Sequence, residues 1–158
     1  MKIGVVKVRL GVALAVLCMS ACSSQLPQSG IPASAWEGAT VDPLKPVGMP
    51  KGFPAPGPVQ LAEAYDSGNT IGTWRLIELR NDSQEIVIQY SQGGGCTVSK
   101  GVYVAETDEK VALVPVYDVP NTSCTSNSSL RAPFGIVTLS RPLGQRQLLH
   151  VPGEDKAY

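Results

Sequence analysis

Short runs of alternating apolar and polar side chains, each closed by a turn signal, fill the second half of the chain. Residues 73–80 (TWRLIELR) read as a strand, with a short helix as the competing reading, and Asn81-Asp82-Ser83 forms a turn cluster. Residues 85–90 (EIVIQY) put Ile86, Ile88 and Tyr90 on one face and Val87 and Gln89 on the other. Gly93-Gly94-Gly95 breaks the pattern. Residues 98–106 and 110–117 are two β-rich runs separated by the polar turn Thr107-Asp108-Glu109, which predicts a hairpin. A polar loop follows over 118–129. Residues 134–140 alternate Ile136 and Thr138 against Val137 and Leu139, Pro142-Leu143-Gly144 turns the chain, and 146–150 form a last short strand. Period-2 alternation with regular turns predicts an all-β domain over 71–153, with 154–158 as a polar tail. The expected fold is a small antiparallel sandwich or partly open barrel of about six strands, burying one face of each.

The preceding stretch, residues 22–70, has a different texture. It holds eight of the thirteen prolines, at positions 27, 32, 43, 46, 50, 54, 56 and 58, with Gly30, Gly48, Gly52 and Gly57 among them. Proline fixes φ and removes a donor, so neither a helix nor a central strand survives that density. The expectation is a Pro-rich stalk, semi-extended where prolines crowd. Residues 59–65 have room for a helical turn or two. Trp36 and Phe53 are unusual in a stalk; they either dock on the domain or meet a partner.

The N-terminus supplies an address. Lys2, Lys7 and Arg9 precede an uncharged run over 10–19, and small residues follow at Ser20 and Ala21. Basic start, short apolar run and small-residue cleavage site are the parts of a secretory signal, here residues 1–21. The run is shorter than the roughly 20 residues that span a bilayer core. Met19-Ser20-Ala21-Cys22 resembles the lipobox of bacterial lipoproteins, with Met19 where Leu is usual. The resemblance implies cleavage before Cys22 and lipidation of that cysteine with diacylglycerol and palmitate. Several acyl chains hold a protein on a membrane where one does so only marginally.

Removal of residues 1–21 takes away three basic residues and no acid, leaving ten basic and thirteen acidic side chains. No basic cluster remains to grip nucleic acid or anionic lipid. With Cys18 gone and Cys22 acylated, Cys96 and Cys124 are left, and in an oxidising compartment they can pair in only one way. They flank the predicted hairpin at its open end, where a disulfide would clamp the base and contribute about 3–4 kcal/mol on the chain-entropy account. A metal pair or a redox pair competes, but no other ligand lies near in sequence and the spacing is far from C-x-x-C.

Candidate chemistry is thin. His150 is the sole histidine and no serine sits in a G-x-S-x-G elbow, so no catalytic residue is assigned. One His without paired Cys or a second His gives no metal site, and no cofactor is expected. Glu106, Asp108 and Glu109 crowd the hairpin tip, either as solvated charges or as an acid–base cluster. Gly93-Gly94-Gly95 lacks the G-K-[ST] that follows in a phosphate-binding loop. Arg141 and Arg146 flank the turn at 142–144; they either bind an anionic group or pair with acids on neighbouring strands. Tyr90, Tyr103 and Tyr117 can line one side of the sheet, as core or as a binding face.

The order Gly93-Gly94-Gly95-Cys96, Val104-Ala105-Glu106-Thr107, Cys124 and then 137–146 (VTLSRPLGQR) resembles a pattern in small actinobacterial lipoproteins. It covers roughly residues 73–150 and implies no activity and no functional residues. The expectation is a membrane-tethered envelope lipoprotein on the extracytoplasmic face. Its β domain is expected to be a non-catalytic binding or accessory module for an envelope protein or cell-wall polymer, with Arg141, Arg146 and the three tyrosines as candidate binding face. A carrier of a lipid or small apolar ligand is the alternative; an enzyme comes third.

Overall fold

The structure, a computed structural model, describes residues 36, 38–65, 69–94, 97–119 and 131–152. Cys22, Cys96 and Cys124 lie outside these residues, and with them the expected acylation and the expected disulfide; so do the expected signal segment 1–21 and the expected tail 154–158. Nine strands occur among the described residues: β1 Thr40–Val41, β2 Gly57–Pro58, β3 Thr70–Ile71, β4 Trp74–Arg80, β5 Glu85–Tyr90, β6 Val98–Glu106, β7 Lys110–Asp118, β8 Phe134–Thr138 and β9 Gln147–His150. The six long ones fall where the alternation predicts them. β1, β2 and β3 are additional two-residue strands.

Two sheets form a sandwich. One joins β1, β9, β7 and β3 in that order, with β6 along the other side of β7; the second runs β2-β8-β5-β4. The expected purely antiparallel pairing gives way to a mixed one. β9 runs parallel to β7, with Lys110 opposite Gln147 and Leu113 opposite His150. The physical reason is the loop after β8, which carries the chain to the end of the sandwich where β7 also begins. β2 is parallel to β8, pairing Gly57 with Gly135 and Pro58 with Ile136. The sheets do not close into a barrel.

Alternation decides what is buried. Trp74, Leu76, Ile86, Ile88 and Tyr90 meet Val102, Val111, Leu113, Leu148 and Val137 between the sheets, with Leu143 plugging one end. β7 is buried on both faces: Ala112, Val114 and Val116 join Tyr103, Ala105 and Leu149 in a second cluster on the outer side, covered in part by Trp36, Ala39, Ala62 and Tyr65.

The proline-rich segment 39–62 wraps this sandwich as a belt. β1 pairs antiparallel with the outer edge of β9. The chain then crosses the seam between the sheets, and Val47 and Gly48 donate backbone hydrogen bonds to Leu76 O and Ile77 O on the edge of β4 (3.3 and 3.0 Å). Phe53 meets Phe134 edge to face at 5.1 Å. β2 and Val59 cap the edge of β8, and Gln60 O and Ala62 N exchange hydrogen bonds with Val102 on the edge of β6 (2.8 and 3.0 Å). Proline density still fits, because an edge strand needs donors on one side only. The helical turn expected over 59–65 is replaced by this edge pairing, and Trp36 and Phe53 dock. Gly101 makes the last contact possible: its φ is +106°, and a Cβ there would lie 2.3 Å from Gln60 O.

Candidate functional site

The β4–β5 turn, the β6–β7 turn and the loop after β8 gather at one end of the sandwich. In the first, Asn81, Asp82 and Ser83 all have positive φ, and Ser83 O accepts Leu143 N at 3.0 Å. In the second, Thr107 closes the hairpin: its N–H donates to Lys110 O (2.8 Å) and its Oγ1 accepts Lys110 N (2.9 Å). Leu143 reaches into the core, so the two arginines beside it face different surroundings.

Arg146 is interior. Its side chain is 5% exposed and its Nη1 donates to Glu106 Oε2 at 2.7 Å; Glu106 is itself 14% exposed. Nη2 donates to Arg141 O (2.6 Å) and Pro142 O (3.0 Å). Glu106 also accepts Ser140 N (2.8 Å) and Ser140 Oγ (2.9 Å). One guanidinium thus ties the hairpin tip to the carbonyls of the turn it belongs to, matching its planar fork to a carboxylate and two oxygens. Arg146 is therefore part of the frame, a correction to its expected place on a binding face.

Arg141 is half exposed. Its Nη2 donates to Asp108 Oδ1 at 2.6 Å and to Thr107 O at 3.2 Å, and Asp108 stands almost wholly in solvent. Such a pair contributes about 0.2–1 kcal/mol. Between the two turns lies an open groove of about 550 Å³, bordered by Asp108, Glu109, Arg141, Gln145 and Gln147. Acid, base and amide groups alternate around it.

The tyrosines do not form the shared face that the sequence suggests. All three are buried. Tyr90 belongs to the core between the sheets and Tyr103 to the outer cluster, where its ring lies 6.5 Å from that of Tyr65. Tyr117 lies on the face opposite Val116, against Gly72. Tyr103 thus faces the opposite layer from Tyr90 and Tyr117, and all three serve packing.

His150 has a partner that sequence reading missed. Its Nε2 lies 2.7 Å from Oδ2 of Asp42, a buried residue of the belt, and its ring stacks on Trp74 at 3.9 Å and 19°. Asp42 Oδ1 accepts Leu44 N at 2.6 Å, holding Leu44 at φ +51°. No hydroxyl or thiol of the described residues hydrogen-bonds the ring. The Asp42 pair ties the belt to β9, and the stack on Trp74 joins β9 to β4.

The far end of the sandwich holds a smaller cavity of about 210 Å³ bordered by Gln92, Gly93, Gly94, Thr97, Ser99 and Arg131. Thr97 Oγ1 donates to Gly94 O at 2.7 Å and Thr97 N to the same oxygen at 3.0 Å, so Thr97 holds the loop closed on itself. No group of three metal-ligating side chains occurs among the described residues. No protein-family model, curated protein or solved structure matches the chain.

Proposed function

We propose that the chain is a membrane-tethered envelope lipoprotein whose β domain is a non-catalytic binding module for an envelope protein or a cell-wall polymer. The lipobox-like Met19-Ser20-Ala21-Cys22 supports the tether. The observation that carries the binding role is the groove between the β6–β7 turn and the 141–147 turn. Its base is rigid, because Arg146, Glu106 and Ser140 satisfy one another, and its rim is re-pairable, because the exposed Arg141–Asp108 pair contributes little. A partner carboxylate can replace Asp108 on Arg141 while Gln145 and Gln147 offer amides. An extended polymer or peptide carrying both carboxylates and amides fits that rim. A carrier of apolar ligands would need an apolar cavity, and the groove and the smaller cavity described above are bordered largely by polar and charged side chains.

The test is affinity purification of the full-length protein from detergent-solubilised envelope, with mass spectrometry of captured proteins, glycans and lipids. An Arg141→Ala/Gln145→Ala variant runs alongside, leaving the Arg146 network intact. A stoichiometric partner lost in the variant supports the reading. A partner that the variant retains moves the interaction elsewhere; capture of a defined lipid overturns it in favour of a carrier.

A further inference from the structure

The belt carries most of the large apolar side chains that the described residues leave in solvent. Val41 is 55% exposed, Val47 62%, Phe53 56% and Leu44 39%. Three of these fall within seven residues, where the belt crosses the seam. Leu44 is the telling one. A leucine in the left-handed region costs about 1–2 kcal/mol, and strain of this kind persists only where the surroundings impose it. Here they do: Asp42 accepts the Leu44 N–H with one oxygen and holds His150 with the other. A buried acid thus fixes a strained turn whose side chain faces water.

Charge distinguishes the same segment. Between residues 38 and 62 the charged side chains are Lys45, Lys51 and Asp42, and Asp42 is buried against His150. The belt therefore presents positive charge on a protein whose chain beyond residue 21 carries a net negative one. Apolar side chains flanked by lysines are the composition of an interfacial membrane contact. The belt is also the part of the described domain nearest in sequence to Cys22. Thr40, which opens the belt, lies eighteen positions after Cys22, and that length reaches at most about 60 Å.

We infer that the belt segment Val41–Val47, with Leu44 between two more exposed valines and Lys45 beside it, is a membrane-facing surface that seats the domain on the anionic lipid in which Cys22 is anchored. The inference rests on the lipoprotein reading. Two lysines and three aliphatic side chains are too few to hold a protein from dilute solution. The anchor changes this, since a tether of this length keeps the segment at millimolar effective concentration near the bilayer. Seated so, the groove at Arg141 belongs to a domain of fixed orientation.

The experiment uses the full chain, purified with its own anchor and reconstituted into vesicles of phosphatidylglycerol and phosphatidylethanolamine. An environment-sensitive fluorophore is placed on Val47→Cys and, as control, on Lys110→Cys at the hairpin tip; protein without either substitution corrects for label at Cys96 and Cys124. Spin-labelled lipid is the quencher. The expected result is blue-shifted, lipid-quenched emission at position 47 and water-like emission at 110. Leu44→Gly keeps the left-handed turn and removes one of the three aliphatic side chains; it should reduce quenching at 47 while leaving the thermal midpoint unchanged or raised. Vesicles of phosphatidylcholine alone should give weaker quenching. If mass spectrometry finds no acyl chain on Cys22, the anchor reading fails and this one with it. With Cys22 acylated, an unquenched probe at 47 overturns the membrane-facing surface alone. So does a probe shielded from iodide but not reached by the lipid quencher, which would mean that protein covers the belt.

Discussion

Arg146→Met removes the cation of the ion pair that the groove end holds. The substitution keeps an unbranched side chain of similar length, so lost packing is small and the measurement reports the polar network. Breaking a buried ion pair from one side costs about 3–5 kcal/mol, because the remaining charge loses its partner without regaining water. Glu106 keeps Ser140 N and Oγ as donors and is 14% exposed, which places the loss at the low end of that range. Arg141 O and Pro142 O lose a donor each, but their residues lie at the surface and water can replace it. The expected destabilisation is about 3 kcal/mol. With a urea m-value of about 1–1.5 kcal/mol/M for a domain of this size, the midpoint falls by roughly 2 M. Glu106→Gln alone retains an acceptor and should cost less. The double variant Glu106→Gln/Arg146→Met should recover part of the loss, giving a coupling of about 1–2 kcal/mol in the cycle. A midpoint shift below about 0.5 M, or additive single effects, would refute the claim that this network frames the groove.

The belt offers a backbone test. Gly101→Ala places a Cβ against Gln60 O at φ +106°, and should cost about 2 kcal/mol or more, with the amide of Ala62 exchanging faster by hydrogen–deuterium exchange; unchanged exchange there would show that the belt does not depend on this approach. Acid should act through two surface carboxylates. The side-chain hydrogen bond from Arg80 holds Glu78 below its ordinary value of 4.5, and that from Lys100 holds Asp118 below 3.8, with Asn69 adding to it. Depressed carboxylates favour the folded state above their unfolded pKa and lose that contribution as pH falls through the folded one. The resulting loss of stability therefore begins near pH 4.5 and continues below 3.8. Carboxyl chemical shifts followed against pH should give midpoints below those values, and Lys100→Met should raise only that of Asp118.

The six long strands were legible because period-2 alternation needs no partner to be recognised: Ile86, Ile88 and Tyr90 point to one core whatever lies across from them. The belt was not. Its strands are two residues long and meet partners far away in sequence, Thr40 with His150 and Gly57 with Gly135, and proline argued for a free stalk when it in fact selected edge positions. For Arg146 the sequence left anion binding and pairing with an acid on a neighbouring strand both open, and the pairing with Glu106 is what forms. The signal that marked it was Leu143, three residues earlier, whose burial pulls the turn inward, and a hairpin-tip acid forty residues back. The carboxylate beside His150 could not be read at all, since Asp42 lies 108 positions away. The tyrosines divided between layers because the sheet of β6 and β7 is buried on both faces, with Val102 turned to one core and Tyr103 to the other, which a strand pattern of alternate burial does not anticipate.

The belt also decides how the domain would answer a pull. Force applied on the N-terminal side of Thr40 reaches the sandwich through contacts arranged in series: β1 on β9, Val47 and Gly48 on β4, β2 on β8, then Gln60 and Ala62 on β6. Each is two or three residues long, so they would open one after another, like a seam unpicked stitch by stitch, before the long strands bear load. Residues 39–62 would pay out up to about 80 Å of chain. The protein's first response to tension would be extension at modest force, with its core still folded behind it.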